Sequence, residues 1–170
     1  SMTAINSFTG SASSNLIING NNLAASTIYF NQTTPGTTNQ LNNFTLNRTG
    51  STPNVNLGNP LVMGTGGTLT MTAGTLSLPA TASEVLTING AIAYTVGTVT
   101  GNTSAFMTIG GTGDTGGALY FTVGGQNLQK LTMNRSSGGV FRIGTPLTIN
   151  SAAAGALTLT DGILNNGSNI

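Results

Sequence analysis

Two stretches of eight residues decide the fold: LNNFTLNR at residues 41–48 and LQKLTMNR at residues 128–135. Both have apolar side chains at the first, fourth and sixth positions, and both close on Asn-Arg. Apolar residues that alternate with Thr have the two-residue period of a strand with one apolar face. Because the same strand pattern returns later in the chain, the sequence indicates an internal repeat.

The neighbouring segments extend this repeat. Residues 8–30 align without a gap with residues 99–121, LGNPL at 57–61 aligns with IGTPL at 143–147, and residues 69–76 align with 157–164. The offset changes only in the polar, turn-rich stretches between these segments, which indicates loops outside the strands. We predict one domain over residues 3–170, built from a superunit of about ninety residues at 8–98 and an incomplete second copy at 99–170. Ser1 and Met2 resemble a scar from tag removal.

Two all-β architectures fit the short strand patterns. A β-sandwich would use Asn19-Gly20 and Asn89-Gly90 as hairpin turns between antiparallel strands. A parallel β-solenoid, or β-helix, stacks each coil about 4.8 Å from the previous one, so that equivalent residues align. The internal period favours the solenoid, with four coils of about 22 residues or five of about 18 in each superunit.

The apolar residues that alternate with Thr are expected to form a thin core. The residues expected to be buried are Leu46, Met71, Ile88, Ile109, Met133, Ile149 and Leu159. The Asn residues that end the strand patterns, such as Asn89, have two possible roles: an amide ladder inside the solenoid, or solvated turns.

The composition excludes several classes of function. The chain has no His, no Cys and no Trp, and its four basic and three acidic residues give a net charge of +1. Zinc sites, haem ligation, disulfides and His-dependent triads are therefore excluded, and nucleic acid is not an expected partner. No apolar run approaches the roughly 18 residues of a membrane span, so no membrane insertion is expected.

The carboxylates give no sign of an active site. Glu84, Asp114 and Asp161 are far apart in the sequence, whereas a glycosidase needs two carboxylates facing one bond. The stretch from Gly110 to Asp114 is a single partial match to a calcium-binding coil. We therefore expect no catalytic residue, no cofactor and no metal site.

Three sets of residues are candidates for surface binding. Arg48 and Arg135 occupy equivalent positions and could contact a carboxylate or sulfate; alternatively, each is a corner residue bonded to loop carbonyls. Tyr29 and Tyr120 are also equivalent and could stack on sugars, or could cover the core. The third set lies in Thr-x-Thr patterns, which place side chains on one outer face and resemble the flat faces of ice-binding proteins. Its members are Thr68, Thr70, Thr72, Thr158 and Thr160.

Several of these phrases together resemble a known group of proteins. LTMNR at 131–135, IGTPLTIN at 143–150 and ALTLTDGIL at 156–164 are similar to the repeats of very large secreted surface proteins of the Bacteroidetes, which are commonly adhesin-like. The resemblance covers residues 8–166 and implies an extracellular, repetitive protein with an adhesive or spacer role. It brings no catalytic residues.

The sequence thus predicts a non-catalytic repeat module, a stalk, spacer or adhesive segment of a larger secreted or cell-surface protein. The alternative is a carbohydrate-binding or ice-binding face on the solenoid. A glycan or other surface ligand is the expected partner. A solenoid cut at both ends also exposes unpaired coil edges, so we expect weak end-to-end self-association.

Overall fold

The computed structural model describes residues 7–21, 25–50, 53–81, 83–150 and 155–167. Over these residues the chain forms sixteen strands and no helix. No helix in this part of the chain is therefore long and apolar enough to cross a membrane. The strands are β1 (Asn15–Asn21), β2 (Ser26–Ile28), β3 (Gln40–Thr49), β4 (Asn54–Leu57), β5 (Leu61–Ala73), β6 (Thr75–Ser77), β7 (Glu84–Ile88), β8 (Ala91–Tyr94), β9 (Thr98–Thr100), β10 (Asn102–Ile109), β11 (Ala118–Leu119), β12 (Asn127–Asn134), β13 (Val140–Ile143), β14 (Thr148–Ile149), β15 (Leu157–Asp161) and β16 (Ile163–Asn165).

The strands stack as a β-solenoid of about six turns. Each pairing between these strands is parallel, and partners come from successive coils rather than from hairpins. Asn19 and Gly20 lie inside β1, which pairs in parallel with β3. The solenoid prediction is therefore confirmed, and the alternative of a β-sandwich is wrong.

The strands stack in columns along the solenoid. The first column runs through six coils, and its residues in register are Gln40, Val62, Thr87, Thr108, Thr132 and Thr158. The second column aligns Ile17, Thr45, Thr70 and Ala93. The third column aligns Thr27, Asn56, Ser77 and Thr100. Partners are 21 residues apart between Thr87 and Thr108 and 28 apart between Ile17 and Thr45, so the longer of the two predicted coil lengths is closer.

The two copies of the superunit have the same internal register. Leu41 pairs with Met63 in the first copy, and the equivalent Leu128 pairs with Ile149 in the second. The second copy is nevertheless shifted around the solenoid by one column. Thr70 lies in the second column, whereas its equivalent Thr158 lies in the first. The shift follows from the lengths, because a superunit of about 88 residues contains about three and two-thirds coils of 24 residues.

The core follows the predicted alternation through most of the chain. Leu46, Met71, Ile88, Ile109 and Met133 are buried, as expected. The prediction is wrong for Ile149, which is half-buried, and for Leu159, which is 59 % exposed. Leu159 lies on β15, which pairs with β12 and has no strand on its other side within the described residues. An inward side chain needs a coil on both sides to be buried.

The amide ladder inside the solenoid is not observed. Asn47 and Asn134 end their strand patterns with exposed side chains, and Asn89 is half-buried. An amide pair does form on the outside, where Asn43 Nδ2 donates to Asn15 Oδ1 at 2.7 Å. The solvated-turn interpretation is therefore the better description.

Met71 and Leu159 offer a matched test of the core, because they are equivalent in the two copies and differ in burial. Met71→Ala should lower the free energy of unfolding by about 3 kcal/mol, since it leaves a cavity between packed coils. Leu159→Ala should change it by less than about 0.5 kcal/mol, as is usual for exposed positions. Urea denaturation of both variants measures the difference. Equal losses of stability would mean that the coil containing β15 is covered by other residues or by another molecule in solution.

Candidate functional site

The two equivalent arginines are buried corner residues. Each is 2 % exposed. Arg48 Nη1 donates to the carbonyl oxygen of Asn54 at 2.8 Å. Of the two interpretations, the structure supports the corner residue, because a guanidinium at this depth does not reach a carboxylate or sulfate in solvent.

Arg135 joins successive corners of the solenoid. Its Nη2 donates to the carbonyl oxygen of Thr112 at 3.0 Å, and its Nη1 donates to the carbonyl oxygens of Gly110 and Asn89. Its Nε donates to the carbonyl oxygen of Gly113. Burial lowers the pKa of Arg135 below its ordinary value. The side chain thus satisfies backbone acceptors that have no strand partner at the turn.

The two equivalent tyrosines lie flat on equivalent glycines. A Cβ atom on Gly58 would come within 2.4 Å of Tyr29 Cε1, and one on Gly144 would come equally close to Tyr120 Cε1. Glycine is therefore required at both positions, because any side chain would displace the ring. The alignment of residues 57–61 with 143–147 places these glycines at equivalent positions, but it does not indicate that each supports a tyrosine ring.

The backbone beside each tyrosine is held in the same way in both copies. Phe30 N donates to Asn59 Oδ1 at 2.7 Å, and the equivalent Phe121 N donates to Thr145 Oγ1 at 2.8 Å. Asn59 and Thr145 differ in type but supply a side-chain oxygen at the same place. Each tyrosine, with its supporting glycine and this side-chain oxygen, forms a corner of the solenoid that occurs in both copies. We call this unit the tyrosine corner.

The two corners differ in what lies on the other face of the ring. Tyr94 stacks on Tyr120 with ring centroids 3.8 Å apart and an angle of 19° between the planes. Tyr120 is therefore enclosed between Tyr94 and Gly144. Within the described residues, no aromatic ring stacks on Tyr29. Instead, Tyr29 borders a cleft of about 540 Å³, which we call the Tyr29 cleft.

The Tyr29 cleft has an uncharged lining that is more apolar than polar. The polar residues that line it, besides Tyr29, are Ser7, Asn31, Gln32, Thr33 and Asn59. Gln32 Nε2 donates to the carbonyl oxygens of Phe30 and Pro60, which fixes its amide. The volume lies within the range of small-molecule sites. A second, smaller cleft of about 230 Å³ lies beside Arg135 and Asp114.

The threonines form a continuous row on the first column. Thr87, Thr108, Thr132 and Thr158 are in register over four coils. The first three alternate with buried apolar neighbours, whereas Leu157 and Leu159 beside Thr158 are exposed. We call this row the threonine rank. It could have been found from the sequence, because three of the four stand at the centre of a Leu-Thr-apolar pattern and Thr108 stands in Met-Thr-Ile.

The Thr-x-Thr residues singled out from the sequence do lie on outer faces, but on different columns. Thr68, Thr70 and Thr72 are half-buried on β5, where they alternate with buried residues. Thr70 pairs with Thr45 and with Ala93, so its row of threonines ends after two coils. Thr158 and Thr160 lie on β15, and Thr158 belongs to the threonine rank.

A charged and aromatic group borders the threonine rank. Thr108 Oγ1 donates to Glu84 Oε2 at 2.8 Å, and Lys130 Nζ lies 4.8 Å from the centroid of the Phe106 ring. Burial raises the pKa of Glu84 above its usual value, and the bonds from Thr108 and Thr87 oppose this shift. The threonine rank is therefore a single row of threonines, with the charged residues Glu84 and Lys130 beside it.

The other two carboxylates are held in local contacts. Asp114 forms an exposed ion pair with Arg142, whose Nη2 lies 2.7 Å from Asp114 Oδ2. This hydrogen bond lowers the pKa of Asp114 to about 2. Asp161 Oδ1 accepts a hydrogen bond from Gly162 N at 2.8 Å. Within the part of the chain that the structure describes, no group of three acidic, His or Cys side chains could hold a metal ion.

Compared with protein-family models, curated proteins and solved structures, the chain matches none of them.

Proposed function

We propose that this chain is a non-catalytic structural module, a spacer or adhesive segment of a larger secreted or cell-surface protein. The observation that carries the proposal is the first column, in which six coils stack in register around a continuous apolar core. Six coils rising about 4.8 Å each give a body roughly 29 Å long. Such a body separates the groups attached at its two ends by a fixed distance and exposes its sides to partners. Coils added at either end would lengthen it without a new fold.

The surroundings of the carboxylates support a non-catalytic role. General acid–base chemistry near neutral pH needs a group whose pKa lies close to the working pH. Asp114 has a pKa of about 2 and is paired with Arg142. Burial raises the pKa of Glu84, and the hydrogen bonds that it accepts from Thr108 and Thr87 oppose that rise.

A screen of glycoside hydrolase and polysaccharide lyase substrates tests this proposal. The expected result is no turnover above that of a blank. The variants Glu84→Gln, Asp114→Asn and Asp161→Asn should behave like the unmodified chain. Turnover that any one of these substitutions abolishes would overturn the non-catalytic assignment.

The threonine rank favours a second candidate, a face that binds ordered water or ice. Its hydroxyl and methyl groups repeat at the coil spacing of about 4.8 Å over four coils. The row of Thr45 and Thr70 on the second column is shorter and provides a control surface.

Thermal hysteresis and ice recrystallisation measure this second candidate. Thr132→Tyr places a bulky ring in the middle of the rank and should abolish any ice activity of the unmodified chain. Thr45→Tyr, on the second column, should leave it unchanged. Absence of thermal hysteresis in the unmodified chain, or equal losses in both variants, would rule out an ice-binding rank.

A further inference from the structure

The two tyrosine corners are built alike and differ in one respect that points to a ligand. Tyr120 has Gly144 on one face and Tyr94 on the other, at van der Waals separation. Tyr29 has Gly58 on one face, and the Tyr29 cleft lies against it. A planar group therefore fills the second position in one copy of the superunit. In the other copy, the same kind of position borders a cleft.

The support beneath Tyr29 makes it a rigid platform. Its ring rests directly on the Gly58 backbone, and the following residue, Phe30, is held by Asn59 through two hydrogen bonds of 2.7 Å. A ring held in this way loses little conformational freedom when a ligand stacks on it. Binding to a preorganised surface retains more of the contact energy than binding to a mobile one.

The amides around the platform are fixed and retain hydrogen-bonding capacity. An amide has two N–H hydrogens and two oxygen lone pairs. Asn31 Nδ2 donates to Thr9 Oγ1 at 3.1 Å, which uses one of its hydrogens. Gln32 Oε1 accepts from Asn39 Nδ2 at 3.2 Å, which uses one of its lone pairs. Both groups are thus oriented by the protein. Asn31 can still donate to or accept from a ligand hydroxyl, and Gln32, whose two N–H hydrogens are already used, can still accept.

The Tyr29 cleft has no charged side chain among its described lining residues, which favours an uncharged ligand. The residues that line it in the described part of the chain carry amides, hydroxyls and aromatic rings, and none of them is Asp, Glu, Lys, Arg or His. A uronic or sialic acid would bring a carboxylate without a cation to meet it. A neutral sugar has hydroxyls for the amides and an apolar ring face for the tyrosine.

We propose that the Tyr29 cleft is a binding site for a neutral saccharide, whose pyranose ring stacks on Tyr29 while Asn31 and Gln32 bond its hydroxyls. This site goes beyond the spacer role and is independent of it, because a spacer needs no ligand. The repeated unit supplies the tyrosine and its glycine support. The cleft beside Tyr29, rather than the tyrosine alone, makes the site.

The test is a titration of the ¹⁵N-labelled full chain with four neutral hexasaccharides: cellohexaose, N-acetylchitohexaose, maltohexaose and laminarihexaose, each up to about 10 mM. At least one should shift the amide signals of residues 29–33 and 58–59. Tyr29→Ala should weaken that binding about tenfold or more, and Tyr29→Phe, which keeps the ring, should stay within about threefold. Tyr120→Ala, at the equivalent enclosed position, should leave the affinity unchanged.

Several outcomes would overturn the proposal. One is the absence of signal shifts at the cleft with all four sugars. Others are equal affinities of the unmodified chain and a folded Tyr29→Ala variant, or equal losses in Tyr29→Ala and Tyr120→Ala. Tighter binding of hexagalacturonate than of any neutral sugar would contradict the assigned ligand class. None of these results affects the spacer proposal, which the substrate screen tests separately.

Discussion

Replacing Gly111 by Ala is expected to lower the free energy of unfolding by about 4 to 6 kcal/mol. A Cβ atom on Gly111 would lie 1.9 Å from the carbonyl oxygen of Asn89 in the preceding coil. The obstacle is backbone, so it cannot rotate away as a side chain would. Gly111 also has a φ of 83°, which L side chains adopt at a cost. Urea denaturation followed by circular dichroism measures the loss.

Gly113→Ala is the matched control for this prediction. Gly113 also has positive φ, at 66°, but a Cβ atom there would meet nothing within 4 Å. Its substitution should therefore cost about 1 kcal/mol, the conformational part alone. If the two variants lost equal stability, the coils would not be in the close contact that the structure describes.

Arg135→Met should destabilise the chain by about 3 to 5 kcal/mol. Met keeps much of the length of the side chain but has no donors. The carbonyl oxygen of Gly110, whose hydrogen bond from Arg135 is buried, then loses its partner, and the partly buried carbonyl oxygens of Thr112 and Gly113 lose theirs. Buried acceptors without partners carry a large desolvation penalty, so the loss should exceed that of an ordinary surface substitution.

Arg142→Met provides the comparison. Arg142 pairs with Asp114 at the surface, where both side chains are more than one-third exposed. An exposed ion pair contributes little to stability, so the melting temperature should hardly change. A large effect of Arg142→Met together with a small effect of Arg135→Met would reverse the assignment of the two arginines as surface and corner residues.

The fold could be predicted because the alternation of apolar residues and Thr directly encodes which face of a strand is buried. Leu46 and Met133 follow that rule and are buried in both copies. Leu159 follows the same sequence rule and is exposed, because burial also depends on a neighbouring coil that local sequence does not report. Periodicity therefore predicts which side chains point inward, and the presence of a coil on each side decides whether they are buried.

The candidate site was predicted in part. The equivalence of Tyr29 and Tyr120 was evident from the alignment, and both tyrosines do lie at equivalent corners. Tyr94 has no equivalent in the alignment, so nothing in the repeat indicated that it would cover Tyr120. For Arg48 and Arg135, residue type alone could not separate a surface contact from a corner residue, because both need the same guanidinium. Their backbone partners became evident only once the coils were stacked.

The one-column shift between the two copies governs how such a repeat would display ligands. If superunits were joined in tandem with the column shift that separates Thr70 from Thr158, each would be turned by one-third of a revolution relative to the last. Equivalent corners would then point in three directions around the axis and return to the same azimuth after about eleven coils, or roughly 53 Å. A fibre of this kind would engage a flat surface with one superunit in three. It would gain its full valency only inside a gel or network that surrounds it on all sides.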